Sequence, residues 1–138
     1  FRCYLMFMGP FDEGGDWNDK GIKGIYRFLN KIIHICNIKN CNNTELKYKK
    51  IIHKTIKGVG DDLEKIKFNT AISKLMTCAN ELNNIDLLAI DEKKILVKLL
   101  APFAPHLSEE LWESLVRSGT VPVEECFMDK LCVNPQTK

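Results

Sequence analysis

The sequence predicts an all-α fold, a helical bundle of about five helices, on three observations. Apolar residues recur at helical spacing in five separate segments. Cap and stop residues bound those segments, where hairpin turns would bound strands. No stretch alternates apolar and polar residues for a useful length. With 138 residues and 45% hydrophobic content, the chain can bury roughly 65 to 70% of its unfolded surface around one core. No run approaches the ~20 apolar residues that span a bilayer, and the first residues lack the pattern of a secretory signal.

Phe1 to Met8 reads as the end of a helix, with Tyr4, Leu5 and Met8 on one side and Gly9-Pro10 as its stop. A chain that opens in mid-helix is expected to belong to something longer. An acidic glycine turn then leads to Trp17. Asn18 or Asp19 caps the second helix, with its apolar stripe at Ile22, Ile25, Tyr26, Leu29, Ile32, Ile33 and Cys36. After the polar break "NIKNCNN", Thr44 is expected to cap a third helix that buries Tyr48, Ile52, Ile56, Val59, Leu63 and Ile66. Gly58 and Gly60 each weaken its centre by about 1 kcal/mol relative to alanine, so a bend or an end is expected there.

The fourth helix is "FNTAISKLMTCANEL", with Phe68, Ala71, Ile72, Leu75, Met76, Ala79 and Leu82 in register. Asp91 opens the fifth, where Ile95, Leu96, Leu99 and Leu100 share a side. Pro102 and Pro105 interrupt it, because a proline inside a helix removes a backbone hydrogen bond and clashes with the preceding turn; the helix restarts before Leu107, Leu111, Trp112 and Leu115. Loss of periodicity from Ser118 onward places the helical domain over 1–118, followed by an extended tail over 119–138.

Little in the sequence suggests chemistry. GxGxxG, P-loop, GxSxG and HExxH motifs are all absent. The six cysteines form no CxxC pair and the three histidines are far apart, so no metal is expected. Cys36 and Cys78 lie in apolar helical patterns and read as buried thiols, which suits a reducing compartment. Glu109, Glu110 and Glu113 are explained by the dipole of the helix they open.

Charge is more informative. The net charge is only +2, yet Lys20 to Lys67 holds twelve Lys or Arg against four Asp or Glu. On the second helix Lys20, Lys23, Arg27, Lys31 and His34 fall in an arc of about 80°, opposite the stripe centred on Leu29. Lys47, Lys50, Lys54 and Lys57 make a second row on the third helix. One row of lysines is commonly no more than a solvated face. Two rows on consecutive helices with few acids between them point to phosphate contact. Trp17 beside the strip either anchors its loop to the core, the commoner role, or stacks on a base.

"RCYLMFMGPFDEGGDW" leading into "GIKGIYRFLNKI", then "HKTIKGVGDDLEKIKFNTAISKLMTCANEL" and "LLAPFAPHLSEELWESL", resemble the anticodon-binding domain of class I aminoacyl-tRNA synthetases over nearly the whole chain. "FNTAISKLM" and "LAPFAPHLSEELW" are shared by the subgroup for leucine, isoleucine, valine and methionine, whereas "MFMGP" and "GIYRFLNK" look like the leucyl branch. The resemblance implies a tRNA-docking bundle placed after a catalytic domain, with the tail over 119–138 leading toward a missing C-terminal domain. It implies tRNA(Leu) and that catalytic domain as partners, no membrane, a single copy and a cytoplasmic setting. Two basic positions of the family motif map onto Arg27 and Lys31, with Lys20, Lys23 and Trp17 as further RNA-binding candidates. A lysine at the second position keeps the charge but loses bidentate geometry. The HIGH and KMSKS signatures are absent, so no catalytic residue and no cofactor is expected in this chain; ATP with magnesium would serve the parent's catalytic domain. The remaining alternatives are the same domain of a valyl, isoleucyl or methionyl enzyme, and a helical protein-interaction module with a basic face.

Overall fold

The computed structural model describes residues 1–10 and 12–117. In order these form α1 (Arg2–Phe7), α2 (Asp19–Asn37), β1 (Lys39–Cys41), α3 (Leu46–Glu64), α4 (Phe68–Leu82), β2 (Leu87–Ala89), α5 (Ile90–Leu100) and α6 (Pro105–Leu115). The all-α class holds. The tail expected over 119–138 lies outside the described residues.

α4 is the hub. Its buried residues Ala71, Ile72, Leu75, Cys78, Ala79 and Leu82 form one continuous face, and the helix packs against α3, α1 and α2. Ala71 and Ala79 keep that face shallow, so neighbouring helices approach closely. α5 closes the other side of the core against α3, α2 and α6, bringing in Leu96, Val97 and Leu100. Pro105 stands at the first turn of α6, where its missing N–H costs nothing. The break expected between Pro102 and Pro105 is therefore a clean stop and restart.

The Gly9-Pro10 corner is tight. A Cβ on Gly9 would lie 2.3 Å from the Gly14 carbonyl oxygen, and Gly14 itself has φ of +68°. Only glycine allows both the close approach and the left-handed turn.

Several expectations change once the helices are packed. α3 runs through Gly58 and Gly60 without ending. Thr44 does not cap it: the residue at that position is Glu45, with no side-chain cap bond. Thr44 is buried, and its Oγ1 accepts a hydrogen bond from the Ala89 N–H at 3.0 Å. That N–H sits in the interior and needs a partner more than the exposed helix end does. Ile66 is not in the α3 stripe. α3 has already ended, Ile66 has φ of 57°, and Lys67 N–H reaches back to Asp62 O at 2.8 Å while Ile66 N–H reaches Leu63 O at 3.1 Å. This is a Schellman closure built on a β-branched residue where glycine is usual. Leu5, expected on the inner side of α1, is 48% exposed.

β1 and β2 pair in parallel, Lys39 with Leu87 through Cys41 with Ala89, joining the chain after α2 to the chain after α4. Beneath them lies Lys93 of α5, with only 1% exposure. Its ammonium donates to the Ile38 carbonyl and, at 2.7 Å, to Asn40 Oδ1. A cation is thus held at the C-terminal, electronegative end of α2. Burial pulls this ammonium below its ordinary pKa. Burial also pushes the Cys3 and Cys36 thiols up to about 11.

Two outcomes follow for stability. Ile66→Gly is expected to stabilise the domain by about 1 kcal/mol in urea denaturation, since it removes left-handed strain from a half-exposed side chain. Gly60→Ala, whose new methyl meets nothing within 4 Å, is expected to add about 0.5–1 kcal/mol. Raised thiol values mean that the folded state keeps protons the unfolded state loses. Their contribution is complete below about pH 9 and disappears as pH rises through about 11. Lys93 acts in the opposite direction. The urea midpoint should fall from pH 9 to 11, and Cys3→Ala with Cys36→Ala should flatten that fall, which a pH series of unfolding curves checks.

Candidate nucleic-acid interface

α2 carries the first basic row, and its start is fixed by α1. Tyr4 is buried, its hydroxyl donates to the Asn18 carbonyl at 2.9 Å, and it accepts from the Asn18 N–H at 2.8 Å. Asn18 is the N-cap, with its side chain accepting from Lys20 N–H at 2.8 Å. The cap and a buried tyrosine together set where the helix begins and how it is rotated.

That rotation differs from the sequence expectation. The residues of α2 that are buried are Ile25, Phe28, Ile32, Ile35 and Cys36, whereas Tyr26 is 68% exposed. The buried centre is turned by about 75° from Leu29, toward Phe28 and Ile35. The cationic arc is therefore no longer diametrically opposite the core. Lys20, Lys23, Arg27 and His34 remain exposed, but Lys31 moves to the flank, where it is half-buried. Its ammonium donates to Asn80 Oδ1 of α4.

Trp17 is 53% exposed, its ring lies 5.0 Å edge-on from Tyr4 and 6.2 Å from Phe1, and its Nε1 donates to Asp19 Oδ1 at 2.7 Å. These contacts describe a loop anchor that holds the entry to α2.

On α3, Lys47, Lys50, Lys54 and Lys57 are all exposed. Lys54 and Lys57 line an open groove of about 590 Å³ between α3 and α4, with Thr70, Ser73 and Thr77 opposite. At the bend of this antiparallel pair Lys74 reaches Asp62 Oδ2 at 2.7 Å and the Gly58 carbonyl at 3.3 Å. Burial alone would raise the Asp62 carboxyl, but hydrogen bonds from Lys74 and Thr70 and the charges of Lys74 and Lys67 outweigh it and hold the group below its usual value. Lys74 is thus committed to the fold. A second cleft of about 760 Å³ opens past the end of α2, lined by His34, Asn37, Lys39, Asn83 and Asn84, with Asp86 as its carboxylate.

The arrangement suits polyanion binding. Exposed cations lie on two helices, and neutral polar groups lie between them. Among the described residues no three His, Cys, Asp or Glu side chains gather as a metal site, and no helix is long and apolar enough to cross a membrane. The Asn80 anchor of Lys31 and the hydroxyl face of α4 were not singled out from sequence, and Tyr26, exposed here, was assigned to the apolar stripe. The signal for the hydroxyl face was present in the Asn69, Ser73, Thr77, Asn80 spacing.

Comparison with known proteins gives this helical bundle with its exposed basic rows a family. Residues 48–134 match the family described as the anticodon-binding domain of tRNA ligase. The chain belongs to the anticodon-binding domain family of tRNA ligases. Its leucyl character, expected from "MFMGP" and "GIYRFLNK", is also found in its relatives. It is 45% identical over 127 residues to a leucine–tRNA ligase of Chlorobaculum tepidum, covering 87% of this chain and 16% of that protein. It is 53% identical over 116 residues to the enzyme of the same name from Borrelia turicatae, covering 81% and 13%. A crystal structure of a ternary LeuRS–tRNA–LeuAMS complex from Agrobacterium radiobacter K84 superposes with a TM-score of 0.61 at 26% identity, over 81% of this chain and 17% of that one. The chain thus spans about a sixth or less of the length of these relatives.

Trp17→Ala is expected to destabilise the domain by about 0.5–1.5 kcal/mol for the lost ring contacts, lowering its thermal midpoint, while leaving the salt dependence of RNA binding unchanged. A variant that keeps its midpoint but loses RNA affinity would instead make Trp17 a binding residue.

Proposed function

We propose that this domain docks tRNA(Leu) for ATP-dependent leucylation performed by the catalytic domain of the parent protein, a single cytoplasmic chain in which ATP and magnesium are held outside this segment. The observation that carries the proposal is the exposure of Lys20, Lys23 and Arg27 on a helix whose buried face, centred toward Phe28 and Ile35, is locked into the core. Long cations at successive turns can follow the phosphates of an RNA strand, and each phosphate neutralised releases counterions. Arg27 supplies a guanidinium fork for a phosphate or two ribose oxygens. Lys31, steadied by Asn80, offers a charge held in place at the seam of α2 and α4. The LeuRS structure to which the chain is similar was solved with tRNA, which supports the same reading.

In the intact parent protein, Arg27→Gln should weaken tRNA(Leu) binding and lower the slope of log K against log salt by about 0.9. Lys31→Gln should act in the same direction, and leucyl-adenylate formation should be unaffected by either. Unchanged affinity at low salt would overturn the proposal. Equal binding of tRNA(Leu) and a random polyanion at two salt concentrations would favour a general basic interaction module.

A further inference from the structure

The exposed face of α4 lies between the two basic rows, and none of the packing accounts for its composition. α4 packs against α2 on one flank and α3 on the other, so the rows stand about two interhelical spacings apart, roughly 16–20 Å. Between them run Ser73, Thr77 and Asn80, all exposed and on one line of the helix at i, i+4 and i+7. Lys31 meets this line from the α2 side through Asn80, and Lys54 and Lys57 face it across the α3–α4 groove.

The hydroxyls on this face share a polarity. Ser73 donates to the Asn69 carbonyl at 2.9 Å and Thr77 to the Ser73 carbonyl at 3.0 Å. Each has given its one proton to its own helix. What remains toward solvent is lone pairs, which complement a donor.

We propose that this surface seats the minor groove of an RNA duplex stem. In the proposal Ser73 and Thr77 accept hydrogen bonds from ribose 2′-hydroxyls, and the cations of α2 and α3 hold the phosphates of the two strands. The inference rests on the tRNA-docking reading and adds which part of the RNA is gripped and by which groups. A-form RNA presents its 2′-hydroxyls in a wide, shallow minor groove, whereas its major groove is too deep and narrow for side chains to read. A convex polar ridge flanked by cations is the complementary shape. A single strand would call for aromatic stacking platforms, and the ridge has none. Lys74 is paired with Asp62 and takes no part. Asp61 and Glu81, toward opposite ends of the groove, confine the phosphate-accepting stretch to Lys54 and Lys57.

The test uses the intact parent protein, an RNA hairpin copying a helical stem of tRNA(Leu), and a DNA hairpin of the same sequence. Wild type should prefer the RNA. The double variant Ser73→Ala, Thr77→Ala, on an exposed helix face where alanine favours the fold, should lose roughly tenfold in RNA affinity with no change for DNA and no change in salt slope. Equal wild-type affinity for RNA and DNA, or undiminished RNA affinity in the variant, would overturn the inference. Arg27→Gln with Lys54→Gln separates the two readings. If that pair leaves the salt slope untouched, tRNA docking itself fails. If it flattens the slope while the hydroxyl variant binds normally, only the minor-groove assignment fails.

Discussion

The constraint on which the rest depends is the burial of one face of α4 between its neighbours. Ala71, Ile72, Leu75, Ala79 and Leu82 are at or below 1% exposure, so the helix cannot rotate without bringing polar groups into the core. Placing Ser73 or Thr77 there would bury hydroxyls among aliphatic side chains, at a cost of about 1–3 kcal/mol each if unpaired. The inward face therefore dictates the outward one. The two basic helices lie on either side of α4, and the separation of their cations is set by helix diameters, independent of side-chain flexibility.

Around this hub, strain and buried charge collect at the connections. Ile66 takes a left-handed conformation to turn α3 back onto α4, and a lysine is buried where α2 ends. Lys93 satisfies the Ile38 carbonyl and Asn40 together, so one side chain ties α5 to the end of α2 and to β1. Removing one member of such a group leaves the others desolvated and unpaired, which is more damaging than never having had it. The short parallel pair beside it links two segments that helix packing alone would leave free.

Much of this was legible in the sequence because local signals agreed. The span of α4 follows from its periodicity, the start of α2 from Asn18, and the break at Pro102 and Pro105 from backbone chemistry. What could not be read depended on partners distant in the chain. The apolar residues of α2 cover about half its circumference, and only contact with α1 and α4 decides that Phe28 and Ile35 go inward and Tyr26 outward. β1 is "KNC", which has no strand signature, and its partner lies 48 residues away. The basic row of α2 was visible; the displacement of Lys31 to the seam with α4 was not, because it follows from that same rotation. Thr44 carried a cap signal that misled, because a buried backbone N–H claims its hydroxyl.

The central claim is that two cationic helices held apart by α4 grip one RNA together. Lysine-specific chemical labelling of the intact parent protein, with and without tRNA(Leu) and read residue by residue by mass spectrometry, tests it most directly. The account predicts that Lys20, Lys23, Lys54 and Lys57 are shielded together while Lys94 and Lys98 of α5 react as before. Shielding of one row alone, or equal shielding of α5, would contradict it.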